Sequence, residues 1–187
     1  MDPISDCQRA VDGAREMIAT VQPNEMTKPT TCESWDVRAL INHMIGVCQN
    51  FAGGLRGAAP GSGTADSDLA GDDPAGAYVR AAEAVMQEWR APGALEKTLK
   101  MPFGDMPAAF AARIMVGDQL IHTWDLAKSL GRPYTMDEDL ASATLQMMQE
   151  NIGPDLRGPG RPFAAAVECP GSAPLQDRLV ALAGRRP

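Results

Sequence analysis

The chain has 187 residues, 44% hydrophobic and 22% charged, enough to bury a core without disulfide or metal staples. Its formal net charge of −7 excludes the broad basic face that phosphate backbones and anionic membranes attract, and no run approaches the ~20 apolar residues of a membrane span. The opening "MDPISDCQRAVDGAREM" lacks the charged-then-apolar layout of a secretion signal, and Cys7, Cys32, Cys48 and Cys169 form no CxxC pair. These features read as a cytoplasmic protein with reduced thiols, monomeric or homodimeric, whose partner is a small molecule rather than nucleic acid or membrane.

Helical periodicity dominates. Ile4, Cys7, Val11, Ala14, Ile18 and Val21 recur at alternating steps of three and four, with Pro3 to start a first helix and Pro23 beyond its end. A second helix opens at "SWD", with Ser34 as N-cap and Asp36 in the first turn, and carries Val37, Leu40, Ile41, Met44, Val47 and Phe51 until Gly53 and Gly54 stop it. Residues 53 to 77 are rich in Gly, Ala, Ser, Asp and Pro and have little to bury. They read as a long crossover, a connection that four-helix bundles allow between their second and third helices, and as a candidate lid.

A third helix is expected over residues 74 to 90, then an extended piece at residues 98 to 101, then a long fourth helix over residues 107 to 130 closed by Gly131 and Pro133. Thr135 and Glu138 form a capping-box pattern for a fifth helix that reaches Asn151, and a short amphipathic helix follows over residues 175 to 182. The fold class is therefore all-α: a four-helix bundle with a long crossover between helices 2 and 3 and additional short C-terminal helices, in one domain over residues 1 to 187.

Only two histidines occur, and both fall on apolar helices. Asp118 and His122 stand one turn apart on the fourth helix, so both can aim at one point. His43 lies between Leu40 and Val47 on the second helix and shares their inward stripe. Two imidazoles and a carboxylate from neighbouring helices would hold a divalent metal with a coordination position open, as catalytic sites do. The competing readings are core histidines bonded to carbonyls or hydroxyls, and an Asp118 paired with Arg80 or Arg113. Asp125, three residues after His122, is placed either to accept that ring's distal N–H and orient it, or to serve as a solvated acid. Trp35 and Trp124 read as packing residues, and Cys48 as a buried thiol.

The stretches "TTCESWDVRALINHMIG" and "GDQLIHTWDLAKSLGRP", together with "PFGDMPAAFAARIM" and the ending "RPFAAAVECPGSAPLQDRLVALAGRRP", resemble the metal-binding domain of the mycothiol-dependent maleylpyruvate isomerase family, within the DinB-like superfamily. The likeness covers nearly the whole chain and is narrowest with a short actinobacterial branch of metal-binding proteins. It implies a DinB-like four-helix bundle whose divalent ion is held by one His on helix 2 and a Glu-x-x-x-His pair on a later helix. Those positions fall on His43, Asp118 and His122, with Asp118 one methylene shorter than the family's Glu. The isomerase carries a further C-terminal domain for which this sequence leaves no room, so the resemblance does not bring a substrate with it.

The implied cofactors are a divalent metal, zinc first and nickel, iron or manganese as alternatives, and mycothiol or another low-molecular-weight thiol. The expected activity is a thiol-dependent transferase or isomerase acting on a small electrophile. The alternatives are a hydrolase that activates water on the same ion and a non-catalytic metal- or ligand-binding module.

Overall fold

The computed structural model describes residues 2–58, 68–101, 104–158 and 163–187. They form two compact units, residues 1–132 and 133–187.

In the first unit, α1 spans Pro3–Ile18, and the Asp2 carboxylate caps it by accepting from the backbone N–H of Ile4 and Ser5. Its inward stripe is Cys7, Ala10, Val11, Ala14, Met17 and Ile18. The next helix, α2, spans Val37–Leu55, and here two expectations are corrected. Its N-cap is Asp36, which accepts from the Ala39 N–H at 2.8 Å, while Ser34 sits at φ 70° and turns the loop before it. The first-turn N–H groups of Val37 and Arg38 donate to the carbonyls of Lys28 and Met26 at 3.0 and 2.9 Å, so the incoming chain completes the cap. At the other end the helix runs through Gly53 and Gly54 to Leu55 instead of stopping. A Cβ on Gly54 would lie 3.4 Å from both Leu99 and Met101, so this glycine admits a close neighbour and does not break the helix.

Residues 59 to 67 of the crossover, and with them most of the candidate lid, lie outside the described residues. The returning end is tied to α2. Asp68 accepts from the Arg38 guanidinium at 2.9 and 2.6 Å, and the Ala70 N–H donates to Asn42 at 2.8 Å. Then α3 spans Pro74–Trp89, capped by Asp73 through the Gly76 N–H.

The extended piece proves to be half of a hairpin: β1, Thr98–Met101, pairs antiparallel with β2, Gly104–Pro107, in the register Thr98 to Pro107 and Leu99 to Met106. It buries Leu99 and Met101 and leads directly into α4, Ala108–Leu130. The last helix of the unit ends on Gly131 at φ 66°, with the Arg132 N–H reaching back to the Ala127 carbonyl at 2.9 Å.

Packing closes the four helices into a ring. Both α3 and α4 pack against α1, and both pack against α2. On α4 every residue from Gln119 to Ala127 is buried, because neighbours cover it on several sides. Three polar side chains inside are paired: the Tyr78 hydroxyl donates to Gln119, whose amide donates to the Met44 carbonyl, and the Trp89 indole N–H faces the Met115 sulfur. Burial pushes the Cys48 thiol up to about 12, with the nearby Asp118 charge adding to it, as suits an inert packing group.

The second unit contains α5, Glu138–Asn151, and α6, Leu175–Leu182, which pack together. Asp137, not Thr135, caps α5 through the Leu140 N–H. Inside this unit the Arg157 guanidinium lies 5.9 Å from the Phe163 ring and donates to the Leu182 carbonyl. Among the described residues no helix is long and apolar enough to cross a membrane.

Candidate metal centre

Asp118 and His122 stand one turn apart on α4, and the bundle brings His43 of α2 against Asp118. His43 Nε2 lies 3.2 Å from Asp118 Oδ2, and His122 Nε2 lies 3.7 Å from the same oxygen. All three ligand atoms fall within 4.8 Å of one another. Nitrogen and oxygen donors at 2.0 to 2.1 Å from a tetrahedral ion stand about 3.3 Å apart, so this trio needs only small side-chain adjustments to hold one. The ring planes of His43 and His122 cross at 75° with centroids 4.7 Å apart, so the two imidazoles meet edge to face. The site is not sealed. The side chains of His43 and Asp118 keep 30% and 22% of their surface, against 11% for His122, so a small molecule can reach the first two.

Behind His122 lies a second polar group. Its Nδ1 is 2.9 Å from Asp125 Oδ2, and Asp125 is fully buried. An ionised carboxylate can only accept, so Nδ1 points a proton at Asp125, and in the neutral ring the lone pair lies on Nε2, on the side of Asp118. The expected orienting role of Asp125 has this geometry, and the reading of it as a solvated acid is corrected by its burial. Of the arginines weighed as partners for Asp118, Arg80 pairs with Asp73 at 3.6 Å and Arg113 is exposed.

Three groups on the site carried no signal in the sequence. The Thr31 hydroxyl donates to Asp125 Oδ1, and Cys32 Sγ lies 3.3 Å from Asp125 Oδ2 and 3.8 Å from His122 Nδ1. Trp35, expected to be simple packing, lays its indole 4.8 Å from the His43 ring and 6.0 Å from the His122 ring, and so walls one side of the site. All three sit on the loop before α2, some ninety residues from Asp125, and periodicity cannot report such a contact. Trp124, by contrast, is buried on α4 with the Lys128 ammonium 5.6 Å from its ring centroid.

Cys32, His122 and Asp125 form a second group of potential ligands, and it shares His122 with the first. The two groups use opposite ring nitrogens. A neutral imidazole has one lone pair, so an ion at the His43 and Asp118 side requires a proton on the Cys32 and Asp125 side. The 2.9 Å contact to Asp125 provides that proton's acceptor. The donor set therefore fits a divalent ion at His43, Asp118 and His122: borderline nitrogen and oxygen ligands, one negative charge, and room for an exogenous ligand.

Comparison with known proteins agrees with this architecture. The family model described as the mycothiol maleylpyruvate isomerase N-terminal domain matches residues 7 to 127, which include His43, Asp118, His122 and Asp125. Uncharacterized proteins of Mycobacterium tuberculosis, from strains CDC 1551 and H37Rv, are each 34% identical over 185 residues, covering 99% of this chain and 98% of theirs. Crystal structures of the mycothiol-dependent maleylpyruvate isomerase and of one of its histidine-to-alanine mutants superpose with TM-scores of 0.63 and 0.62, at 14% and 13% identity. Each alignment covers 86% of this chain and 72% of the other, and shows a shared fold. By the extent of the family match and the identity to full-length relatives, the chain belongs to the mycothiol maleylpyruvate isomerase N-terminal domain family.

Proposed function

We propose that this protein binds one divalent metal ion through His43, Asp118 and His122 and uses it for thiol-dependent transfer or isomerisation on a small electrophilic substrate. The observation that carries the reading is the convergence of two Nε2 atoms and one carboxylate oxygen from α2 and α4, with the opposite nitrogen of His122 held by Asp125. When bound, such an ion supplies a Lewis acid that holds a small thiol in its nucleophilic form near neutral pH. The protein's own groups do the rest. Asp118 supplies negative charge, Asp125 fixes the orientation of His122, and Trp35 keeps water from one side of both rings. The partial exposure of His43 and Asp118 leaves a path for thiol and substrate.

Mycothiol is the thiol that the family's name points to, and zinc is the ion best suited to the donor set, with nickel, iron and manganese also able to bind mixed nitrogen and oxygen ligands. Metal analysis of the purified protein, followed by turnover of small electrophiles including maleylpyruvate with and without a low-molecular-weight thiol, tests the proposal. Turnover that requires the thiol and disappears in His122→Ala supports it. Equal turnover without thiol would replace it with metal-assisted hydrolysis, and a wild-type protein that takes up no divalent ion would remove it altogether.

A further inference from the structure

The loop before α2 does more than connect. Residues 28 to 36 fold back on themselves: Pro29 bridges to Asp36, the Thr30 N–H and hydroxyl both donate to the Trp35 carbonyl, and the Trp35 N–H donates to the Cys32 carbonyl. The Cys32 N–H donates to the Thr30 hydroxyl oxygen at 3.1 Å, which fixes where the next side chains point. With the loop held this way, Thr31 and Cys32 both reach Asp125 on α4.

We infer that Thr31 and Cys32 are positioning residues for the metal site, acting on His122 through Asp125. A carboxylate has two oxygens and can rotate about its Cβ–Cγ bond. Thr31 engages Oδ1, and Cys32 and His122 engage Oδ2, so three donors from two elements fix the rotation and the plane of the group. Oδ2 is thereby presented to His122 Nδ1, the proton is kept on that nitrogen, and the Nε2 lone pair is kept toward His43 and Asp118. Cys32 reaches the opposite nitrogen of His122 from the one facing the metal position, so its thiol acts as a donor to Asp125 and not as a ligand. Outer partners of this kind set how tightly a histidine holds its ion.

The inference rests on the proposed metal role of His122, but one arm of its test needs no ion. Nitrogen-15 spectra of the histidine rings in metal-free protein should show a single Nδ1–H tautomer for His122 in the wild type. The double variant Thr31→Val with Cys32→Ala should show the averaged shifts of a mixed tautomer. In zinc titrations, Thr31→Val and Cys32→Ala should each weaken binding about tenfold without changing stoichiometry, the low end of the effect of outer partners. Thr31→Ser and Cys32→Ser, which keep a hydroxyl donor in place, should recover most of that loss. Cobalt-loaded wild type should lack a thiolate-to-metal charge-transfer band.

Unchanged tautomer in a folded double variant would overturn the inference, whether or not the wild type binds metal. So would a charge-transfer band that vanishes in Cys32→Ser, because Cys32 would then be a ligand. Serine variants as weak as the valine and alanine ones would also overturn it, since packing and not hydrogen bonding would be responsible. If the wild type takes up no ion while the tautomer shifts as expected, the positioning network stands and the metal role of His122 falls.

Discussion

Two aspartates stand on the same face of α4, two turns apart with His122 between them, and their surroundings differ in every respect that matters. Asp118 keeps 22% of its side-chain surface and lies between the Nε2 atoms of two imidazoles. Asp125 keeps none and is gripped by a hydroxyl, a thiol and an imidazole N–H. A carboxylate with access to solvent and two imidazole nitrogens beside it suits a cation that must enter and leave. One sealed among donors suits a fixed dipole that orients its neighbour. The same residue type thus supports two roles, decided by exposure and by the polarity of its partners.

The comparison breaks most completely at the histidines. His43→Ala and His122→Ala are each expected to reduce metal content from about one ion per chain to near zero, measured by elemental analysis after equilibration with zinc. If both variants keep full stoichiometry, the assignment of the metal to His43, Asp118 and His122 falls.

Next comes Asp118 itself. Zinc at a hundredfold excess over its dissociation constant should stabilise the wild type by about 2.7 kcal/mol, read as a rise in melting temperature. Asp118→Asn keeps the size, removes the charge and should lose most of this gain, whereas Asp118→Glu should retain it. An Asn variant stabilised as fully as the wild type would leave the two histidines as the only protein ligands.

Asp125→Asn should separate the two roles. Its amide can still accept from one donor but turns an N–H toward another, so metal affinity should fall about 10- to 100-fold while stoichiometry survives. Stability without metal should also fall, by about 1 to 3 kcal/mol, because buried donors lose their acceptor. Asp118→Asn should cost far less in the metal-free protein. Equal losses of metal-free stability in both variants, measured by urea unfolding, would erase the distinction.

The last effect appears only at alkaline pH and concerns the buried thiols. Burial pushes Cys7 and Cys48 from 9.0 to about 12, so at alkaline pH the unfolded chain ionises them before the folded one does. A group whose folded pKa is raised holds its full contribution below the unfolded value and loses it as pH climbs to the folded one. Stability should therefore decline between pH 9 and about 12, by up to about 1.4 kcal/mol per thiol per pH unit. Replacing both cysteines with alanine should flatten that limb of a denaturation series. In the native protein at neutral pH, a thiol reagent should label the half-exposed Cys32 and Cys169 and spare Cys7 and Cys48.

Much of this molecule was legible in the chain. The helices at Pro3–Ile18, Pro74–Trp89, Ala108–Leu130 and Leu175–Leu182 follow from apolar periodicity, from prolines at their starts and from Gly131 at a stop. His43, Asp118 and His122 could be picked out because two histidines among 187 residues both fell on apolar stripes, and because positions one turn apart share a face. The ends of elements were less legible. Ser34, Thr135 and the Gly53–Gly54 pair each had the right chemistry for a cap or a stop, yet the geometry of Ser34, the nearer Asp137 and the close approach of β1 to Gly54 decided otherwise.

Sequence by itself determined the helical class and the three residues that converge on the candidate site, because helical periodicity and i, i+4 spacing are local and repeat within a single element. Tertiary structure alone decided which aspartate is sealed and which stays open, and it brought Thr31 and Cys32 from the loop before α2 onto Asp125 and Trp35 onto the two histidine rings. The contacts with α4 bridge positions some ninety residues apart and depend on how the loop turns and how α2 seats against α4. Burial and hydrogen-bond partnership are set by that three-dimensional packing, and no local pattern of residues encodes them.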